Sequence, residues 1–157
     1  MIKDIISLIV AVSLSLLAGI IGSFFTFNSI QEWYQFLEKP ALNPPNWVFG
    51  PVWTSLYILM GVALFLVWKK GWKDKKVKIA INIFLIQLVL NALWSILFFG
   101  LQNPLLAFME IVILWILIVV TMEKFYQISK PAMGLLIPYL LWVSFAGYLN
   151  ASIWLLN

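Results

Sequence analysis

Cysteine, histidine and arginine are all absent from this chain. Their absence removes disulfides, thiol and imidazole catalysis, Cys/His metal sites and arginine clamps on phosphate. With no thiol to protect or oxidise, the sequence assigns no redox compartment. Charge is scarce as well: only 10% of the residues are charged, against about a quarter in a soluble domain. Apolar surface takes its place. Of the 157 residues 64% are hydrophobic and 17% aromatic, with nine Trp, five Tyr and twelve Phe, and mean hydropathy is +1.02. A water-soluble single domain is excluded. The composition describes a polytopic membrane protein whose side-chain chemistry is left to Trp, Tyr and a few amides.

A transmembrane helix needs about 20 predominantly apolar residues. Five stretches meet that length: 5–27, 48–68, 79–100, 105–122 and 133–155. None shows the two-residue alternation of barrel strands, and helices are the other way to satisfy backbone groups in lipid. The expected fold is all-α, a five-transmembrane-helix bundle forming a single domain over 1–157. The first apolar run exceeds a signal-peptide core of about 7–15 residues and lacks an A-x-A site after it, so it reads as a retained helix.

The connections are short except for loop 1, residues 28–47, which carries Pro40, Pro44 and Pro45. Loop 2, residues 69–78, holds six lysines against Asp74, and the connection at 123–132 holds Glu123, Lys124 and Lys130. The opposite side carries only Glu32, Glu38 and Lys39. Because lysine collects on the cytoplasmic side, the N-terminus and loop 2 are expected in the cytoplasm, with loop 1 and the C-terminus outside. The lysine cluster reads first as this topology signal and alternatively as an anionic-lipid site. With no stacking platform around it, it does not read as a nucleic-acid site.

In lipid any apolar residue can face outward, so small and polar residues mark the inward faces. Span 1 carries Ala11, Ser15, Gly19 and Ser23 at i+4 steps, beside Ala18 and Gly22. That face suits close helix packing, in the monomer or a dimer, or a smooth wall for a flat ligand. Span 2 carries Trp53, Tyr57 and Gly61 after Trp47 and Phe49. Trp47 fits an interfacial belt, whereas Trp53 and Tyr57 sit deeper. Span 3 carries Gln87, Asn91 and Ser95, with Trp94 alongside; these amides serve either as interhelical glue or as ligand contacts. Span 5 carries Trp142, Ala146 and Asn150, flanked by Phe145 and Tyr148, with a kink expected at Pro138. Three helices thus offer aromatic and amide groups to one interior, as pockets for large flat apolar ligands do. Glu110 is the one acid inside a span; its place near the loop 3 end (101–104) suggests that it reaches the interface.

The segments Trp33-Tyr34-Gln35-Phe36-Leu37-Glu38-Lys39-Pro40, Asn43-Pro44-Pro45-Asn46-Trp47-Val48-Phe49 and Trp53-Thr54-Ser55-Leu56-Tyr57 resemble the loop 1 and span 2 signature of the translocator protein family, also called TspO/MBR or tryptophan-rich sensory proteins. Gln87 to Ser95 with Phe98-Phe99-Gly100, and Pro138-Tyr139-Leu140-Leu141-Trp142 with Phe145-Ala146 and Leu149-Asn150, are similar to its spans 3 and 5. The resemblance covers essentially the whole chain. It implies a five-helix bundle, usually a homodimer in a bacterial cell membrane, with loop 1 closing a pocket. The implied ligands are porphyrins such as protoporphyrin IX, sterols such as cholesterol, and isoquinoline carboxamide or benzodiazepine-type drugs. The implied pocket residues are Trp47, Phe49, Trp53, Tyr57, Asn91, Trp94, Trp142, Phe145 and Ala146, with Trp33 as the loop 1 aromatic. Two departures stand out. Ala41 and Leu42 occupy the place of a Trp pair in some relatives, and no basic residue follows Tyr148 to complete a sterol motif.

Three functions follow as expectations. The first is a membrane binding or sensory protein for tetrapyrroles, with porphyrin as its ligand, lipid around it and no required cofactor. The second is light-dependent porphyrin breakdown, in which Trp53 and Trp142 would be the redox partners. The third is porphyrin or sterol transport, although five spans show no inverted repeat.

Overall fold

The computed structural model describes residues 2–157. Its elements are α1 (Ile2–Glu32), a 3₁₀ turn (Tyr34–Phe36), α2 (Asn46–Trp68), α3 (Lys75–Ser95) running into a π-helical turn (Ile96–Gly100), α4 (Pro104–Tyr126), α5 (Lys130–Leu135) and α6 (Ile137–Leu156). Among the described residues no strand occurs. Five spans result, the third being α3 with its π turn and the fifth α5 with α6. Each reaches beyond the apolar stretch that marked it. The helices continue into polar residues at the interface, where backbone groups still bond within the helix and water takes the side chains.

The ends have local causes. Asp74 accepts a hydrogen bond from the Lys76 N–H at 2.8 Å and starts α3. Asn103 does the same for Leu106 at 3.0 Å, with Pro104 set in the first turn of α4. Ser129 caps α5 through the Ala132 N–H. The kink expected in span 5 is a break at Leu136, two residues before Pro138, which occupies the first turn of α6 and has no N–H to extend the α5 ladder.

The spans close into a ring in the order α1, α2, α5 with α6, α4, α3 and back to α1. Leu, Ile, Val and Phe cover both the interior and the outer surface, so apolar periodicity carries little information about facing. Small residues carry more. Ala11, Ser15, Ala18 and Gly22 form the buried row of α1, so its small-residue face is used within this chain. Gly61 of α2 lies against the backbone of Val12, and Gly19 lies under the Tyr57 ring. A Cβ at either glycine would overlap its neighbour, and these two points set how closely α1 and α2 approach.

Glu110 departs from expectation. It is only 7% exposed, within the bundle rather than at the interface, and neither carboxyl oxygen has a hydrogen-bond partner among the described residues.

Gly61→Val is expected to lower stability by about 1–3 kcal/mol through overpacking against the Val12 backbone. Gly134→Ala, where nothing lies within 4 Å of the added methyl, is the control and should leave the midpoint unchanged or raise it. Thermal unfolding in detergent reads both.

Candidate functional site

A cavity of about 480 Å³ lies in the half of the bundle nearest loop 1. Its volume falls within the roughly 300–1,000 Å³ typical of small-molecule sites. One wall is α1 from Leu16 to Ile30, built on Gly19, Gly22, Ser23 and Thr26. The facing wall is the first three turns of α2, where Trp47, Phe49, Gly50, Trp53 and Tyr57 project. Trp94, Ser95 and Phe99 close the back from the third span, Trp142 and Ala146 close it from α6, and Tyr34 covers the top.

The aromatic groups brace one another. Trp53 stacks on Tyr57 with centroids 5.6 Å apart, and its edge meets Tyr139 at 6.4 Å. Phe49 meets Trp142 edge-on at 6.0 Å. Trp94 stacks on Phe98 at 5.1 Å and donates its indole N–H to Asn150 Oδ1 at 3.0 Å. Asn150 in turn donates to the Pro104 carbonyl at 2.7 Å, so both its polar ends are used in joining α3, α4 and α6.

Below the cavity runs a buried polar chain. Tyr57 donates to Asn91 Oδ1 at 2.5 Å, Asn91 donates to the Tyr139 hydroxyl at 3.0 Å, and Tyr139 donates to Gln87 Oε1 at 2.8 Å. Tyr57 is the member that also reaches the cavity wall. Three wall hydroxyls are occupied by their own helices: Ser23 bonds the Ile20 carbonyl, Thr26 the Gly22 carbonyl and Thr54 the Gly50 carbonyl, each at 2.9 Å. Two buried N–H donors here lack a partner among the described residues: Gln87 Nε2 at the foot of the chain and, on the cavity wall, Trp142 Nε1. No charged side chain lines the wall.

Loop 1 is folded onto this end of the bundle. Trp33 and Tyr34 pack on Phe98 at 5.6 and 6.2 Å. Tyr34 donates to Asn43 Oδ1 at 3.0 Å, Lys39 sits over the Tyr34 ring at 4.7 Å, and burial pushes the Tyr34 phenol above its ordinary value. Asn157 pairs with the Glu38 peptide in both directions: its Oδ1 accepts from the Glu38 N–H and its Nδ2 donates to the Glu38 carbonyl, each at 3.0 Å.

Of the residues named from the sequence, Trp47, Phe49, Trp53, Tyr57, Trp94, Trp142 and Ala146 lie on the cavity wall. Three do not. Asn91 is consumed by the two tyrosines beneath the cavity. Phe145 points past the wall and packs between Trp142 at 5.6 Å and Tyr148 at 6.2 Å. Trp33 is packed on Phe98, and Tyr34 takes the place expected for it, because the 3₁₀ turn begins between them. Reasoning from sequence places Ser95 on the inward stripe but not among the pocket residues, and it misses Tyr34 and Phe99 as wall residues. One further i+4 step along the Gln87, Asn91, Ser95 stripe reaches Phe99.

Trp94→Phe should cost about 1–3 kcal/mol, because it strands the buried Asn150 Oδ1. Trp142→Phe leaves no partner unpaired and should cost markedly less. Thermal unfolding of the two variants in the same detergent tests the contrast.

Known proteins share this sequence over most of its length. The model of the TspO/MBR family matches residues 11–155. A tryptophan-rich protein TspO of Chlorobaculum tepidum is 50% identical over 155 residues, spanning 99% of this chain and 98% of that protein. The translocator protein of Homo sapiens is 37% identical over 135 residues, 85% of this chain and 80% of its own length. A tryptophan-rich sensory protein of Cereibacter sphaeroides is 37% identical over 126 residues, 80% of this chain and 77% of its own.

Proposed function

The chain belongs to the TspO/MBR family of integral membrane proteins, and from that premise we propose that it binds porphyrin-class tetrapyrroles, with protoporphyrin IX as the representative ligand. The observation that carries this reading is the cavity itself, walled by Trp53, Trp94 and Trp142 together with small residues of α1. Indole faces and glycine walls suit a wide flat ring, since aromatic stacking adds to the area buried. The unpartnered Trp142 N–H offers one directional contact to a ligand acceptor. The ring's carboxylate arms would lie toward loop 1 and water, because the wall holds no cation for them. Other flat apolar compounds, sterols and isoquinoline carboxamides among them, fit the same description less specifically. In this reading the protein is a homodimer of a bacterial cell membrane, with the lysine-rich turn cytoplasmic and loop 1 outside.

Titration with protoporphyrin IX in detergent or nanodiscs should quench Trp emission saturably. Trp53→Phe and Trp142→Phe should each weaken binding about three- to tenfold, the worth of one aromatic contact. Non-saturable quenching, or identical curves for all three proteins, counts against the proposal. Illumination of the bound complex separates binding from light-dependent breakdown, which draws on the same two indoles. Porphyrin loss no faster than in empty detergent leaves binding as the function.

A further inference from the structure

The cavity has two candidate entrances, the top under loop 1 and the side between α1 and α2. At the top, Tyr34 of loop 1 lies on the cavity wall, and several contacts hold that loop in place. Loop 1 is tied by the Tyr34–Asn43 bond, by Trp33 and Tyr34 packed on Phe98, and by the two-way pairing of Asn157 with the Glu38 peptide. These contacts join it to the end of the third span and to α6. The side is different. α1 and α2 touch where Gly61 meets Val12 and where Gly19 meets Tyr57. Farther toward loop 1 the wall residues on both helices are open to the outside: Ile20 is 64% exposed, Phe27 76% and Trp47 75%. Gly50 lines the cavity, and a Cβ built on it meets nothing within 4 Å. Both helices are long and apolar enough to span a membrane, so the gap between them opens toward lipid.

We infer that ligand exchanges sideways, from the bilayer through the gap between α1 and α2, while loop 1 stays in place as a fixed roof. The inference rests on the binding reading given above. It selects ligands that partition into the membrane and assigns Gly50 and Ile20 as portal residues. Gly50 keeps the gap wide because it has no side chain, and Ile20 borders the gap from the opposite helix. Serine and threonine along the opening are paired to their own backbones, so a ring sliding past meets no unpaired hydroxyl there.

The test uses the full chain in phosphatidylcholine vesicles with protoporphyrin IX dissolved in the bilayer, and follows quenching in time. Gly50→Trp and Ile20→Trp narrow the gap from either side. Each should slow association and dissociation together by about tenfold while their ratio changes far less, the signature of a barrier rather than of a lost contact. Asn157→Ala frees the roof and should change neither rate by more than about twofold. Ile20→Trp keeps the test intact should Gly50→Trp fail to fold, because Ile20 lies on the lipid-facing surface. Faster exchange in Asn157→Ala, with native rates in both tryptophan variants, would make loop 1 the gate and overturn the inference. Faster dissociation alone in the tryptophan variants would make these positions contacts and overturn it too. Absence of saturable binding in the unmodified protein overturns the binding proposal instead, so the two failures are distinguishable.

Discussion

Asn91 is the point on which the bundle turns. Its amide accepts from Tyr57 of α2 and donates to Tyr139 of α6, and Tyr139 donates back to Gln87 of α3. Three helices are thereby fixed in rotation and in depth by four side chains. In water such a chain would add modestly to a hydrophobic drive. In lipid the apolar residues gain nothing by choosing the interior, and polar pairs and close small-residue contacts determine which face turns inward. The cavity depends on this arrangement. Tyr57 serves both as the top of the polar chain and as part of the cavity floor, so the position of the floor is set from below.

The same constraint explains the shape above it. Gly61 and Gly19 let α1 and α2 approach closely in the lower half, where Val12 and the Tyr57 ring fill the space that side chains would take. Above Tyr57 the rings of α2 face a wall of α1 that includes Gly22, Ser23 and Thr26, and these small side chains leave room between the helices. The volume arises from a mismatch of sizes along one seam, with no special loop or insertion needed to create it.

Much of this was legible in the sequence. Five spans, their short connections and the inward polar stripes follow from run length and from the rarity of amides in hydrocarbon. The cavity tryptophans followed from the same stripes. What could not be read was the difference between a polar residue at the wall and one just beneath it. Asn91 and Ser95 share a stripe one turn apart, yet one is enclosed by two tyrosines and the other faces the cavity. Tyr139 lies off the Trp142, Ala146, Asn150 stripe, and an i+4 count along α6 does not show that its ring turns inward just past the break at Leu136. Trp33 and Tyr34 are adjacent, and only the turn that starts between them decides which one faces the cavity. Glu110 illustrates a limit of another kind. Nearness to a helix end suggested reach to water, but depth along the axis does not determine facing, and its face belongs to the α3–α4–α6 interior.

The seam between α1 and α2 is closed in the half toward the lysine-rich turn and open in the half toward loop 1. This gives the protein a sidedness unrelated to its charges. A lipid-soluble molecule in the leaflet on the loop 1 side meets the opening directly by lateral diffusion. The same molecule in the other leaflet meets packed helices and has to cross the bilayer first. On the lateral route inferred above, occupancy of the cavity would sample one leaflet of the membrane, and how fast a compound flips between leaflets would enter the rate at which it binds.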